Sequence, residues 1–150
     1  MTTMQRTISP VDGAVYVERP LADAAAINRT LDAAVSAQRQ WAATPLADRI
    51  ATLSRAVDAF VAQGQAIALE ISWQMGRPIA HSPGEIRGFE ERARHMLATA
   101  EESLAPIIPT PREGFERKIK RVPLGVVAVV APWNYPYLTA VNAVIPDRKS

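Results

Sequence analysis

The chain has 150 residues, 48% of them hydrophobic and 21% charged, with a formal net charge of +2 and no cysteine. That balance suits a globular domain with a real core, and the small charge implies no polyanionic partner. The missing thiols exclude disulfides, thiolate metal sites and a cysteine nucleophile within these residues.

The first ten residues, MTTMQRTISP, carry no apolar leader core, and the longest apolar run, Val126–Trp133, is far too short to cross a bilayer. No membrane segment and a cytoplasmic location are therefore expected. Residues 6–19, RTISPVDGAVYVER, predict a hairpin, with Pro10, Asp12 and Gly13 supplying turn chemistry between two β-prone runs. The pattern then becomes helical. Ile27, Leu31, Ala34, Val35, Trp41 and Ala42 put an apolar stripe on a helix over 23–43, with Asp23 as its cap. Thr44 before Pro45 reads as a second helix start, and Leu46, Ile50, Leu53, Val57 and Phe60 keep one face of that helix apolar. Gly64 interrupts it. A third helix near 65–75 ends at Gly76.

The tetrapeptide SPGE, Ser82–Glu85, has the form of a capping box with proline at the first helical position. It opens a fourth helix whose apolar face runs from Ile86 through Phe89, Ala93 and Leu97 to Leu104. Glu70, Glu85, Glu90, Glu91, Glu101 and Glu102 read as surface charges of these helices, and the Gly84–Gly88 spacing carries no meaning in so charged a segment. Pro106, Pro109 and Pro111 forbid a continuing helix. Residues 115–122, FERKIKRV, predict an exposed strand, and 124–131, LGVVAVVA, a strand buried on both faces as in a parallel sheet. A short helix is expected from Pro136. His81 and His95 have no neighbours at ligand spacing, so no metal site is expected. The basic stretch REGFERKIKR has one aromatic residue and two glutamates, which argues against a nucleic-acid partner.

The chemistry concentrates in APWNYP, residues 131–136. Pro132 ends the expected strand and Pro136 permits a helix, so the backbone on both sides of Asn134 is restricted. A turn at the carboxyl end of a sheet strand is where open α/β sheets bind ligands, and a carboxamide held there can donate to an oxygen gaining negative charge. A turn asparagine beside a core tryptophan would give the same letters, so composition alone leaves both readings open.

The segment PLGVVAVVAPWNYPYLTAVNAVIP resembles the first coenzyme-domain strand of the aldehyde dehydrogenase superfamily, with its Pro-Trp-Asn-aromatic-Pro turn. The upstream SPVDGAVY, WAATP and MGRP segments are similar to that family in the same order, so the resemblance covers about residues 6–146. It implies an α/β fold: a hairpin and helices over 6–104, an oligomerisation-arm strand over 112–122, and over 124–146 the first strand of a Rossmann-like parallel sheet with the start of its helix. The implied reaction is NAD- or NADP-dependent oxidation of a small-molecule aldehyde. In that family a cysteine thiolate attacks the aldehyde carbon and a glutamate-activated water later releases the acid. Asn134 would be the oxyanion donor. Val130, Ala131, Pro132 and Trp133 would line the nicotinamide side of the coenzyme cleft, while Tyr135 and Leu138 would face the substrate. A homo-oligomer is implied for a full-length member. The four polar residues after Pro146 depart from the family pattern, and no nucleophilic Cys or coenzyme Lys is matched. The expectation is an N-terminal portion, cut short by a frameshift, a premature stop or an incompletely read gene, and inactive alone. The alternative expectation is a non-catalytic module that docks onto full-length subunits.

Overall fold

A computed structural model describes residues 3–149. The chain opens with an antiparallel hairpin, β1 (Met4–Ile8) and β2 (Val15–Pro20), as the turn residues predict. The Asp12 carboxylate accepts the Ala14 N–H at 3.0 Å, and Gly13 takes φ +74°, a conformation without steric cost only for glycine. The register pairs Thr7 with Val17 but Ile8 with Val15, so Tyr16 is the extra residue of a bulge. Bulges re-aim side chains, and here Tyr16 turns toward the helices. Its hydroxyl donates to Glu70 at 2.9 Å and its ring stacks on Trp73 with centroids 6.1 Å apart. Ser9, buried beside the turn, donates to the Trp73 carbonyl at 2.7 Å.

The expected helices form. In α1 (Ala24–Ala43) Asp23 caps the start, accepting the Ala26 N–H at 2.7 Å. In α2 (Leu46–Ala62) the start falls one residue later than expected: Pro45 occupies the cap position and the Thr44 hydroxyl donates backward to the Gln40 carbonyl instead. Gly76 closes α3 (Gly64–Met75) in the left-handed region at φ +75°. The fourth expected helix is broken at Thr99 into α4 (Pro83–Ala98) and α5 (Ala100–Leu104), where the Thr99 hydroxyl donates to the His95 carbonyl at 3.0 Å. The capping box does not close. Ser82 has helical backbone angles, and its hydroxyl is shared with Ser72 at 2.8 Å rather than capping α4. The last helix, α6 (Pro136–Lys149), starts at the proline that predicts it.

The core lies where α2, α4 and α6 meet. Leu53 and Val57 pack with Ala93, Leu97, Val141 and Ile145, all buried. A second cluster, Ala68, Ile71 and Ile86, joins α3 to α4. Phe60 links the two, its ring 4.2 Å from Phe89 and edge-on to Tyr137 at 5.1 Å. Such pairs add about 0.5–1.5 kcal/mol each beyond area burial.

Two strand expectations are corrected. Residues 115–122 form no ladder; isolated bridges pair Phe115 with Arg112 across a tight turn and Ile119 with Ile107. Residues 124–131 are neither a strand nor buried: Leu124 is 85% and Val130 95% exposed. Among the described residues, no backbone hydrogen bond joins 122–134 to another segment. A parallel strand takes its partners from strands that return through crossovers, and no segment of these residues returns beside it. The architecture is thus a hairpin on a helical body, with no parallel sheet among the described residues.

Candidate active site

The turn preceding α6 is set by its prolines and by a group from far away in sequence. Trp133, Asn134 and Tyr135 form the turn, and the Tyr135 carbonyl accepts the first helical bond, from Thr139 N–H at 3.1 Å. Pro136 has no N–H to satisfy. That leaves the Tyr137 and Leu138 N–H groups as orphan donors of the helix start. Both donate to one oxygen of Glu85, Oε2, at 3.2 and 3.0 Å. The other oxygen, Oε1, is 2.7 Å from Arg77 Nη1. The Glu85 side chain is 0% exposed. It is therefore not the surface charge its place on α4 suggests, but a buried carboxylate between a guanidinium and a helix N-terminus. A buried charge persists when it is paired and fully hydrogen-bonded, and a helix start favours negative charge. The Arg77 guanidinium also lies over the Tyr135 ring, 4.6 Å from its centroid.

Further contacts hold the helix down. Arg92 Nη1 donates to the Leu138 carbonyl at 2.9 Å. Gly88 lets α6 approach α4, since a Cβ there would lie 2.4 Å from Leu138 Cδ1. The Gly84–Gly88 pair thus has half a meaning after all: Gly88 is a packing glycine.

Within this frame Asn134 is exposed, and its carboxamide makes no hydrogen bond among the described residues. It is a donor held on a restrained backbone and left unused. Val130 and Trp133 are exposed at 95% and 76%, Pro132 is exposed and Ala131 half-buried. All four side chains are apolar, and they supply no group for a pyrophosphate or ribose. Tyr135 sits over Arg77, whereas the Leu138 side chain packs toward α4 at Gly88. A cavity of about 310 Å³ opens between Trp133, Pro136 and Tyr137 on one side and Glu70, Ile71 and Met75 of α3 on the other.

Arg77, Glu85, Gly88 and Arg92 escape a reading by local pattern. The available signal is the Arg-Pro after the αL glycine followed eight residues later by a carboxylate, an opposite-charge pair across a short turn. Among the described residues no helix is long and apolar enough to cross a membrane.

Known proteins are similar to this chain in sequence and in fold. A 3,6-anhydro-alpha-L-galactose dehydrogenase of Streptomyces coelicolor is 30% identical over 142 residues, covering 93% of this chain and 28% of that protein. The structure of an aldehyde dehydrogenase from Brucella melitensis superposes with a TM-score of 0.90 at 28% identity, over 98% of this chain and 30% of that one. An NAD-dependent benzaldehyde dehydrogenase from Corynebacterium glutamicum does so at 0.88 and 28%, over 98% and 32%. The chain thus spans roughly a third or less of the length of these relatives. The family model described as aldehyde dehydrogenase family matches residues 2–147. With nearly the whole chain matched, the protein belongs to the aldehyde dehydrogenase family.

Proposed function

We propose that these residues supply the oxyanion-binding turn and one wall of the nicotinamide pocket of an NAD- or NADP-dependent enzyme that oxidises a small-molecule aldehyde to its acid. The observation that carries this reading is Asn134: an uncommitted, exposed carboxamide on a turn bracketed by Pro132 and Pro136 and held on its helix side by Glu85, next to exposed apolar residues. When the aldehyde carbon is attacked by a thiolate, its carbonyl oxygen takes up the negative charge. The Asn134 side-chain N–H donates to that oxygen, stabilising charge that develops only as the bond forms. Val130, Ala131, Pro132 and Trp133 would hold the nicotinamide, which supplies the hydride acceptor when bound. Tyr135 would stand on the substrate side, with Leu138, packed on α4 at Gly88, behind it.

The sulfur must come from outside these 150 residues, because they contain no cysteine. No other side chain here combines the nucleophilicity and leaving ability that a thiohemiacetal requires. The chain alone is therefore expected to make no NADH from aldehyde and NAD. The test is Asn134→Ala in a complete family enzyme carrying this turn. Its kcat is expected to fall by about 10²–10³, and wild-type turnover would reject the role.

A second reading is favoured by the exposed segment 122–130: a non-catalytic module that docks onto full-length subunits. Val122, Leu124, Val126, Val127 and Val130 present uncovered apolar surface and unpaired backbone, the features of an edge that recruits another chain. Co-purification with an intact family member supports docking; a monodisperse monomer that ignores such a subunit counts against it.

A further inference from the structure

We propose that Arg77 and Glu85 are a positioning pair for the Asn134 turn, acting through the backbone of the residues just after it. The inference rests on the reading of Asn134 as oxyanion donor and adds to it the group that sets the donor's place. Three independent contacts converge. Glu85 Oε2 fixes the peptide planes at Tyr137 and Leu138, three and four residues beyond Asn134, at 3.2 and 3.0 Å. Arg77 holds the other carboxylate oxygen at 2.7 Å, so the carboxylate cannot rotate away. The same guanidinium covers the ring of Tyr135, the immediate neighbour of Asn134, at 4.6 Å.

The geometry is over-determined for a mere helix cap. A Ser, Thr or Asp at the cap position could satisfy one or two orphan N–H groups locally. Here the cap residue is Tyr135, with no such side chain to offer, and the acceptor comes from α4, 52 residues away in sequence. The consequence is that the turn is registered against α4 rather than only against its own helix. Arg77 follows the αL residue Gly76, so the end of α3 is tied to the same point. The pair lies behind the turn and would not touch the aldehyde; its effect on the reaction runs through the position of Asn134. A displacement of about 1 Å at a reacting group can cost on the order of 10²-fold in rate.

The test has two arms. In the 150-residue chain, amide hydrogen exchange is measured by NMR for Glu85→Gln, which keeps the shape and removes the charge. Exchange at Tyr137 and Leu138 is expected to accelerate about tenfold or more, the equivalent of losing a hydrogen bond to a charged group, beyond any change at Ala93–Leu97 of α4. Arg77→Lys keeps the charge but removes the planar guanidinium, and is expected to shift the Tyr135 ring resonances with a smaller exchange effect. If Tyr137 and Leu138 exchange as freely in wild type as in the variant, the clamp does not exist. In a complete family enzyme carrying the same three residues, the equivalent of Glu85→Gln is expected to lower kcat by on the order of 10²-fold with little change in KM. In an Asn134→Ala background the same change should cost nothing further. Additive losses would overturn the coupling and leave a stability role only. A loss from Glu85→Gln beside an unaffected Asn134→Ala would overturn the oxyanion reading and the link through it, while the exchange result would still stand or fall by itself.

Discussion

Gly88 and Leu138 meet where α4 crosses α6, and the gap between them is the smallest feature on which the site depends. A methyl group at Gly88 would sit 2.4 Å from Leu138 Cδ1, a distance no real contact keeps. Gly88→Ala is expected to destabilise the chain by about 1–3 kcal/mol through overpacking. Gly88→Ala with Leu138→Ala should cost less than the sum of the two, because the clash is relieved; chemical denaturation reads both. Tyr16 gives a titration test at the same scale. Its phenol is raised above the ordinary 10.0, chiefly because the hydroxyl donates to Glu70. The folded state therefore holds that proton longer than the unfolded one. Its contribution is fully present below pH 10 and is lost as pH climbs through the raised value. Glu70→Gln should bring the Tyr16 titration down toward 10, followed by ring-carbon NMR; an unmoved titration would show that the hydrogen bond does not set it. Legibility differed sharply between residues. Asn134 could be singled out because two prolines bracket it within six residues. Glu85 could not, since Ser-Pro-Gly-Glu satisfies a local capping rule on paper. The folded chain instead spends that carboxylate on a helix that begins at Pro136.

The helices were legible because a 3.6-residue apolar period needs no distant partner to be written in sequence. Their caps were less so: Asp23 caps as expected, while Thr44 and Ser82 turn their hydroxyls to competing carbonyl or hydroxyl groups. The strand at 124–131 shows the opposite limit. Its Val-rich composition describes what a parallel sheet would bury, but a strand exists only with its neighbour. Composition was read correctly as apolar and wrongly as buried. The same holds for α1, where Ile27, Leu31 and Val35 form the expected stripe yet remain 49%, 50% and 43% exposed. Two uncovered apolar elements in one chain predict self-association. Leu124→Lys with Val130→Lys is expected to lower light scattering of the purified chain while leaving its helical circular dichroism unchanged. Loss of the helical signal would mean that these residues support the helices, contrary to their exposure.

For the molecule as a whole, the family likeness and the missing chemistry are compatible. Residues 2–147 match the family, and relatives at 28% identity superpose along 98% of the chain and over 30–32% of their own length. What lies within the match is a helical body that carries one turn to a defined place, held by Glu85 and Arg77 beneath it. What the reaction needs besides, a sulfur nucleophile above all, is not among these residues. Incubating the purified chain with aldehyde and NAD should leave absorbance at the NADH band flat, and a rise that Asn134→Ala abolishes would contradict that division. The most direct measurement is a crystal structure of a complete family enzyme carrying this segment, trapped with aldehyde bound to its thiol. The expected result is the Asn134 side-chain nitrogen within about 2.7–3.1 Å of the oxygen derived from the aldehyde. A carboxamide turned into solvent, out of reach of both that oxygen and the nicotinamide, would contradict it.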